Sequence, residues 1–126
     1  MFDYTRFKIF DFNEGTANVT LTSNGITFNK GCVLKLGKPP YVQFMIDKNS
    51  KQILIRKCNK KDPKAKCFYK ENKRNVISVR WNTIDLLNTI QDIMDWDLSR
   101  DSYKIDGCLV DDDNAILFPL ELNVVF

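Results

Sequence analysis

The chain has no histidine among its 126 residues. This removes the usual general base for a serine or cysteine nucleophile, and with it triad chemistry. It also leaves no imidazole for a mixed zinc site, and the four cysteines, Cys32, Cys58, Cys67 and Cys108, contain no C-x-x-C pair that would grip one tetrahedral ion. There is no phosphate-cradling glycine loop and no nucleophile elbow. No apolar run is long enough to cross a bilayer, and the N-terminal MFDYTRFKIFDFNEG lacks a basic stretch leading into an unbroken apolar one. Together these absences predict a non-enzyme without cofactor or metal, cytoplasmic and away from membranes, whose cysteines are reduced and act as small buried hydrophobes. The carboxylates do not change this. Asp95 and Asp97 sit in a polar run that keeps them solvated and ionised, and Asp111-Asp112-Asp113 lacks the glycine-bearing twelve-residue pattern of an EF loop.

What is present is an uneven distribution of charge. Residues 1–74 carry 16 Lys/Arg against 6 Asp/Glu, whereas residues 75–126 carry 3 against 10, so the two parts are opposite in sign within a formal net charge of +3. The densest basic run goes from Arg56 and Lys57 through Lys60, Lys61, Lys64, Lys66, Lys70, Lys73 and Arg74, interrupted only by Asp62 and Glu71. Such a run draws polyanions, because each neutralised phosphate releases condensed counterions. It serves equally as a solvated linker, helped by Pro63, or as a surface lying against the chain's own acidic part.

The length fits one domain over 1–126 with a sizeable core. In Ala17 to Phe28 apolar and polar residues alternate on either side of Ser23-Asn24-Gly25, which predicts a hairpin. KGCVLKLG then suits a short helix, with Val33, Leu34 and Leu36 on one side and Gly37 as its left-handed stop, and Pro39-Pro40 forbids more helix. Val42, Phe44 and Ile46 alternate up to a turn at Asp47–Ser50, and Ile53 to Ile55 run back, predicting a second hairpin. The same order recurs downstream. Cys67 to Val79 reads as strand, polar turn and strand. Asn82 to Met94 reads as a helix capped by Asn82, with Asp85 near the positive end of its dipole and an apolar stripe of Ile84, Leu87, Ile90 or Gln91, and Met94. Tyr103 to Leu122 reads as a hairpin around Asp111–Asn114. Ile26-Thr27-Phe28 then faces Ile77-Ser78-Val79, Val33 and Leu36 face Ile84 and Leu87, Tyr41 faces Tyr103, Asp47 faces Asp111, and Ile53-Leu54-Ile55 faces Ile116-Leu117-Phe118. The predicted fold class is mainly β with short helices (α+β), built of tandem strand-strand-helix-strand-strand repeats over about 17–58 and 67–122, joined by a basic connector at 59–66.

Ile26 to Cys58 resembles the SpoVT/AbrB-type swapped-hairpin domain. The matching positions are Ile26 and Phe28 in an arm strand, Lys30 after it, Val33-Leu34-Lys35-Leu36-Gly37 in a short helix, and Val42 to Ile55 in a hairpin with an acidic-polar turn. Extended through the repeat, the resemblance covers most of the chain and leaves a first strand region, Tyr4 to Phe12, as an addition. It implies a swapped-hairpin β-barrel, which the family builds from two subunits and which two copies in one chain make internally, with a pseudo-two-fold. It also implies an AbrB-like DNA-binding transcriptional regulator, either a monomer (pseudo-dimer) or a homodimer. Asn29 stands where the family has proline, the helix has no arginine pair, and Trp81, preceded by Arg80, faces Lys30 in the second repeat.

On this reading the nucleic-acid-binding residues are Lys30, Lys35 and Lys38, then Arg56, Lys57, Lys60 and Lys61 after the hairpin, and Arg80 from the second arm. Lysines set position on phosphates, while Asn29 and Arg80 are the groups able to read base edges. Tyr41, Phe68, Tyr69 and Trp81 are candidates either for stacking on unpaired bases or for the core. The competing reading is an interaction module, adaptor or inhibitor that offers Asp95, Asp97, Asp101 and Asp111-Asp112-Asp113 to a basic protein partner.

Overall fold

In the first hairpin, Val19 and Leu21 point inward while Asn18, Thr20 and Thr22 are half-exposed, the period of two that makes a half-buried strand. The computed structural model describes residues 2–7, 9 and 15–126. Its order is β1 (Asn18–Thr22), β2 (Gly25–Phe28), α1 (Lys30–Lys35), β3 (Tyr41–Asp47), β4 (Gln52–Lys57), β5 (Lys66–Cys67), β6 (Val79–Trp81), α2 (Ile84–Met94), β7 (Tyr103–Asp106), β8 (Cys108–Val110), β9 (Ala115–Pro119) and β10 (Asn123–Val125). The protein is mainly β with two short helices. Of the added strand expected over Tyr4 to Phe12, residues 8 and 10–12 lie outside the described residues, and 4–7 form a turn closed by the Phe7 N–H on the Tyr4 carbonyl at 3.0 Å.

Two five-stranded antiparallel sheets result, in the orders β10-β7-β1-β2-β6 and β5-β3-β4-β9-β8. Strands from early and late in the chain interleave. Leu21 lies opposite Tyr103, Thr27 opposite Arg80 and Leu54 opposite Leu117, while Tyr41 lies opposite Cys67. At Gly107 the chain passes from the first sheet, as β7, into the second, as β8. The Gly107 N–H donates to the Ala17 carbonyl at 2.9 Å, and a Cβ there would stand 2.6 Å from Ile116 Cγ2 and Phe118 Cε1. Side chains from both sheets, among them Val19, Leu21, Ile26 and Phe28 from one and Ile53, Ile55, Ile116 and Phe118 from the other, meet in a single core. Among the described residues no polar or charged side chain is buried in it.

The helices show why their ends lie where they do. Asn29 caps α1, its Oδ1 accepting the Cys32 N–H at 3.1 Å. At the other end the Gly37 N–H donates to Leu34 O at 3.0 Å and the Lys38 N–H to Val33 O at 2.8 Å, a Schellman closure that needs left-handed backbone at Gly37 (φ 80). The cap of α2 is Thr83, not the expected Asn82, whose Oδ1 instead accepts Arg80 Nε at 3.1 Å. Leu87 and Ile90 are buried and Met94 packs on the core, whereas Ile84 is 70% exposed, so the apolar stripe is one turn shorter than its spacing suggests. After α2, Gln91 organises the chain. Its Oε1 accepts the Leu98 N–H at 2.7 Å, Leu98 is buried, and Trp96 stacks on Tyr103 with ring centroids 3.7 Å apart.

Two further expectations are corrected. Cys67 to Val79 does not form strand, turn and strand: β5 has two residues, and 68–78 contain no strand. Asn72 is the physical reason. Its Oδ1 accepts the Arg74 and Val76 N–H groups at 3.1 and 2.9 Å, and its Nδ2 donates to Val76 O at 2.8 Å, side-chain bonds that compete with a ladder. The cysteines are all free thiols, but only Cys32 is buried; Cys58 is half-buried, and Cys67 and Cys108 are exposed. Burial pushes the Cys32 thiol from its ordinary value near 9 up to about 12, against weaker lowering by hydrogen bonds around Asn29 and Asn18. The fold therefore prefers the neutral thiol. Its contribution to stability is complete below the unfolded thiol's pKa and is lost as pH rises from there towards about 12. At pH 8 a soluble disulfide reagent should modify Cys67 and Cys108 at once and Cys32 only on the unfolding timescale. Equal rates at all four sulfurs would contradict the packing of α1 on β1.

Candidate nucleic-acid interface

The predicted contact residues fall at three places. The first is α1 and the corner after it. Lys30 is exposed at the first helical position, Lys35 is half-buried in the last turn, and Lys38 is exposed just past the Schellman closure with left-handed backbone (φ 55). Asn29, expected to read base edges, is turned to another use. Besides capping α1, its Oδ1 accepts the Asn18 N–H at 3.0 Å and its Nδ2 donates to Thr16 O at 2.7 Å. Its amide ties α1 to the start of β1 and is not presented outward.

The second place is the end of β4. Arg56 and Lys57 are exposed there, and Lys60 and Lys61 follow in a turn closed by Asn59 N–H on Asp62 Oδ2 at 2.8 Å. Arg56 Nη2 and Nε donate to Gln43 Oε1 at 2.6 and 3.2 Å, and Gln43 Nε2 donates to Pro63 O at 2.8 Å. That chain of bonds ties the basic connector to β3. Lys57 and Lys38 come together at an open cleft of about 540 Å³ between the Pro39-Pro40 corner and the β4 end, with Asn59, Asp62 and Asn114 on its walls. The Lys57 N–H donates to Asn114 O at 2.9 Å, which sets the Asp111–Asp113 turn beside the basic strand end. All three aspartates have left-handed backbone (φ 54, 51 and 66).

The third place is the join between β5 and β6, each an edge strand of its sheet. Arg80 is exposed on β6, its guanidinium held by Asn82 Oδ1 and, through Nη2, by Asn24 O, both at 3.1 Å. Lys66 and Lys70 line a cleft of about 390 Å³ with Arg80, together with Tyr69, Asn72 and Trp81. The structure thus groups Lys38 with Lys57, and Arg80 with Lys66 and Lys70; Lys30 and Lys35 line neither cleft. Lys66, Lys70 and Asn72 were not among the expected site residues. The signal that could have found them is the basic run itself, which places Lys66 and Lys70 on either side of Phe68-Tyr69.

Of the aromatic candidates, Phe68 and Trp81 belong to the core, while Tyr41 and Tyr69 are half-buried. On the acidic side, Asp97 is held below the ordinary carboxylate range, chiefly by its hydrogen bond from the Ser99 hydroxyl and then by the Ser99 N–H. Among the described residues no group of three or more His, Cys, Asp or Glu side chains is placed to hold a metal ion, and no helix is long and apolar enough to cross a membrane. No family model, curated protein or solved structure matches the chain.

Proposed function

We propose that the chain is a non-catalytic, AbrB-like nucleic-acid-binding protein, a transcriptional regulator that holds duplex DNA by its phosphates through the α1 corner and the β4 end. The single observation that carries this reading is the way the strand pairings map onto one another. Exchanging β1 with β5, β2 with β6, β3 with β7 and β8, and β4 with β9 turns the β1·β7 pairing into β5·β3 and β3·β4 into β8·β9 and leaves β2·β6 and β4·β9 as self-matched pairs, while β1·β2 and β10·β7 have no counterpart. The matched pairings are those expected of two swapped hairpins within a single chain. Burial supports the same exchange with one adjustment. Aligned on their caps, Val33 and Leu36 of the α1 region match Leu87 and Ile90 of α2, all buried, so Ile84 rather than Trp81 takes the place of Lys30. Trp81 matches Phe28, both core residues, through the β2·β6 register instead, in which Ile26 lies opposite Trp81 and Phe28 opposite Val79.

The division of charge follows. The first half supplies Lys30, Lys35, Lys38, Lys57, Lys60 and Lys61, whereas the cap alignment sets Ile84, Thr89 and Asp92 against the first three, none of them basic, so DNA meets one side of the fold. With Asn29 committed to the chain's own backbone and Arg80 braced by Asn82 and Asn24, base reading is slight and phosphate contacts dominate. Changing Lys30, Lys35 and Lys38 together to alanine should flatten the slope of log affinity against log salt by about 2.7 and weaken duplex binding at low salt on the order of 10- to 100-fold. Fluorescence anisotropy on a random duplex across a salt series measures both. Duplex binding that ignores salt, or none at low salt, would refute the proposal. A second reading, a basic protein partner, is favoured by the exposure of Asp95, Asp97, Asp111 and Asp112; a lysine-rich peptide in the same assay tests it.

A further inference from the structure

We propose that the cleft between β5 and β6 is a separate slot for single-stranded nucleic acid. This rests on the nucleic-acid reading above and adds to it a second substrate form, with Lys66 and Lys70 as its own residues and Lys38 shared with the duplex site. The slot exists because, among the described residues, β5 pairs only with β3 and β6 only with β2, leaving two strand edges without a ladder between them. One indole bond spans the gap, Trp81 Nε1 donating to Cys67 O at 3.2 Å. The 68–78 segment, held in place by Asn72, forms the outer wall. At about 390 Å³ the cleft is at the small end of ligand sites, room for one flexible unit and not for a duplex.

Its chemistry selects an anion that carries flat apolar groups. Lys66, Lys70 and Arg80 line it with Asn72 and Ser78, and among the described residues no carboxylate lines it. The Lys66 ammonium lies over the Trp81 ring, 5.4 Å from its centroid, and the Lys38 ammonium over Tyr69 at 5.9 Å. A ring face covered by a long cationic side chain, and not by a packed apolar one, can be uncovered at little cost. When a phosphate draws the ammonium aside, the exposed face of half-buried Tyr69 is left for a base to stack on, with Trp81 as the floor. A single strand supplies both partners at a spacing that a flexible backbone can adjust. An acidic peptide supplies only the charge.

The test uses a dT oligomer, a random duplex and polyglutamate, each titrated against the full chain, the Lys66→Ala/Lys70→Ala variant and the Lys30→Ala/Lys35→Ala/Lys38→Ala variant. A Trp96→Phe background leaves Trp81 as the one fluorescent indole of the two tryptophans. The expected result is quenching of Trp81 by the dT oligomer, an affinity lowered about 10-fold or more by the Lys66/Lys70 change, and duplex binding that this change leaves intact. Oligomer binding insensitive to Lys66 and Lys70 beside normal duplex binding would overturn the slot alone. Loss of both ligands from the unaltered chain would overturn the nucleic-acid reading as a whole. Polyglutamate bound as tightly as the oligomer, at the same residues, would make the slot a peptide site and overturn the proposal.

Discussion

Replacing Phe28 by alanine should cost about 3–5 kcal/mol of stability and lower the thermal midpoint on the order of 10–20 °C. Phe28 is fully buried at the end of β2, and its ring meets those of Trp81, Phe68 and Phe118 at centroid distances of 5.0, 5.5 and 6.0 Å. Those three rings come from β6, from the residue after β5 and from β9, so this one side chain joins both sheets and both sides of the β5–β6 join. Truncation removes the transfer free energy of the ring, forfeits three edge or tilted aromatic contacts, and leaves a void that strands fixed by pairing cannot close. Phe28→Leu retains most of the volume and should cost less than half as much. Chemical denaturation of both variants measures the difference. A Phe28→Ala loss below about 1 kcal/mol would mean that Phe28 is not the hub of this cluster.

Gly25→Ala should cost about 2–4 kcal/mol, for a reason unrelated to the core. Gly25 has φ 151, a conformation that side chains of L-residues rarely adopt, and a Cβ there would lie 2.5 Å from the Trp81 carbonyl oxygen and 2.9 Å from Asn82 Oδ1. The nearer atom is backbone, fixed by the pairing of Ile26 with Trp81, so relief requires β6 to move away from β2. That displacement would also disturb the Arg80 bond to Asn24 across the β1–β2 turn. Gly37→Ala is the control. Gly37 also has positive φ, at 80, but nothing lies within 4 Å of its would-be Cβ, so only backbone strain of about 1 kcal/mol is expected. Equal losses at the two glycines would show that close approach is not the cause at Gly25.

The contrast between those glycines also separates local from long-range determinants of the fold. The stop of α1 was legible because Gly37 and Pro39-Pro40 act locally, as were the β1–β2 and β3–β4 hairpins, whose alternation and turn residues lie within a few positions of each other. The α2 cap was misplaced by one residue because Asn82 and Thr83 are both good caps, and the choice is made by Arg80 reaching for Asn82. Ile84 fits a helical stripe perfectly well on spacing, but its exposure depends on where α2 overhangs the sheet. The missing strands in 68–78 and the presence of β10, whose partner is β7, are likewise decided at a distance. For the candidate site, the residue types were legible and their grouping was not. Lys38 and Lys57 meet because β4 returns beside the Pro-Pro corner, and Lys66 and Lys70 gain a shared cleft with Arg80 only where two sheet edges fail to pair. Asn29 has the sequence context of an outward-facing amide, because nothing nearby in sequence reveals that Thr16 and Asn18 claim it.

The interleaving of early and late strands has a consequence for how the chain is born. β1 pairs with β7, and β4 with β9, so on the ribosome the first two hairpins emerge well before the strands that complete their sheets. Until then the outer edges of β1 and β4 stand open, and closing them demands loops spanning much of the chain, a high contact order that slows folding. During that interval the nascent first half is a pair of unsatisfied β-templates, carried by the most cationic part of the sequence. Its surplus of lysine makes two such templates repel one another, so charge opposes edge-to-edge pairing for as long as the edges are open.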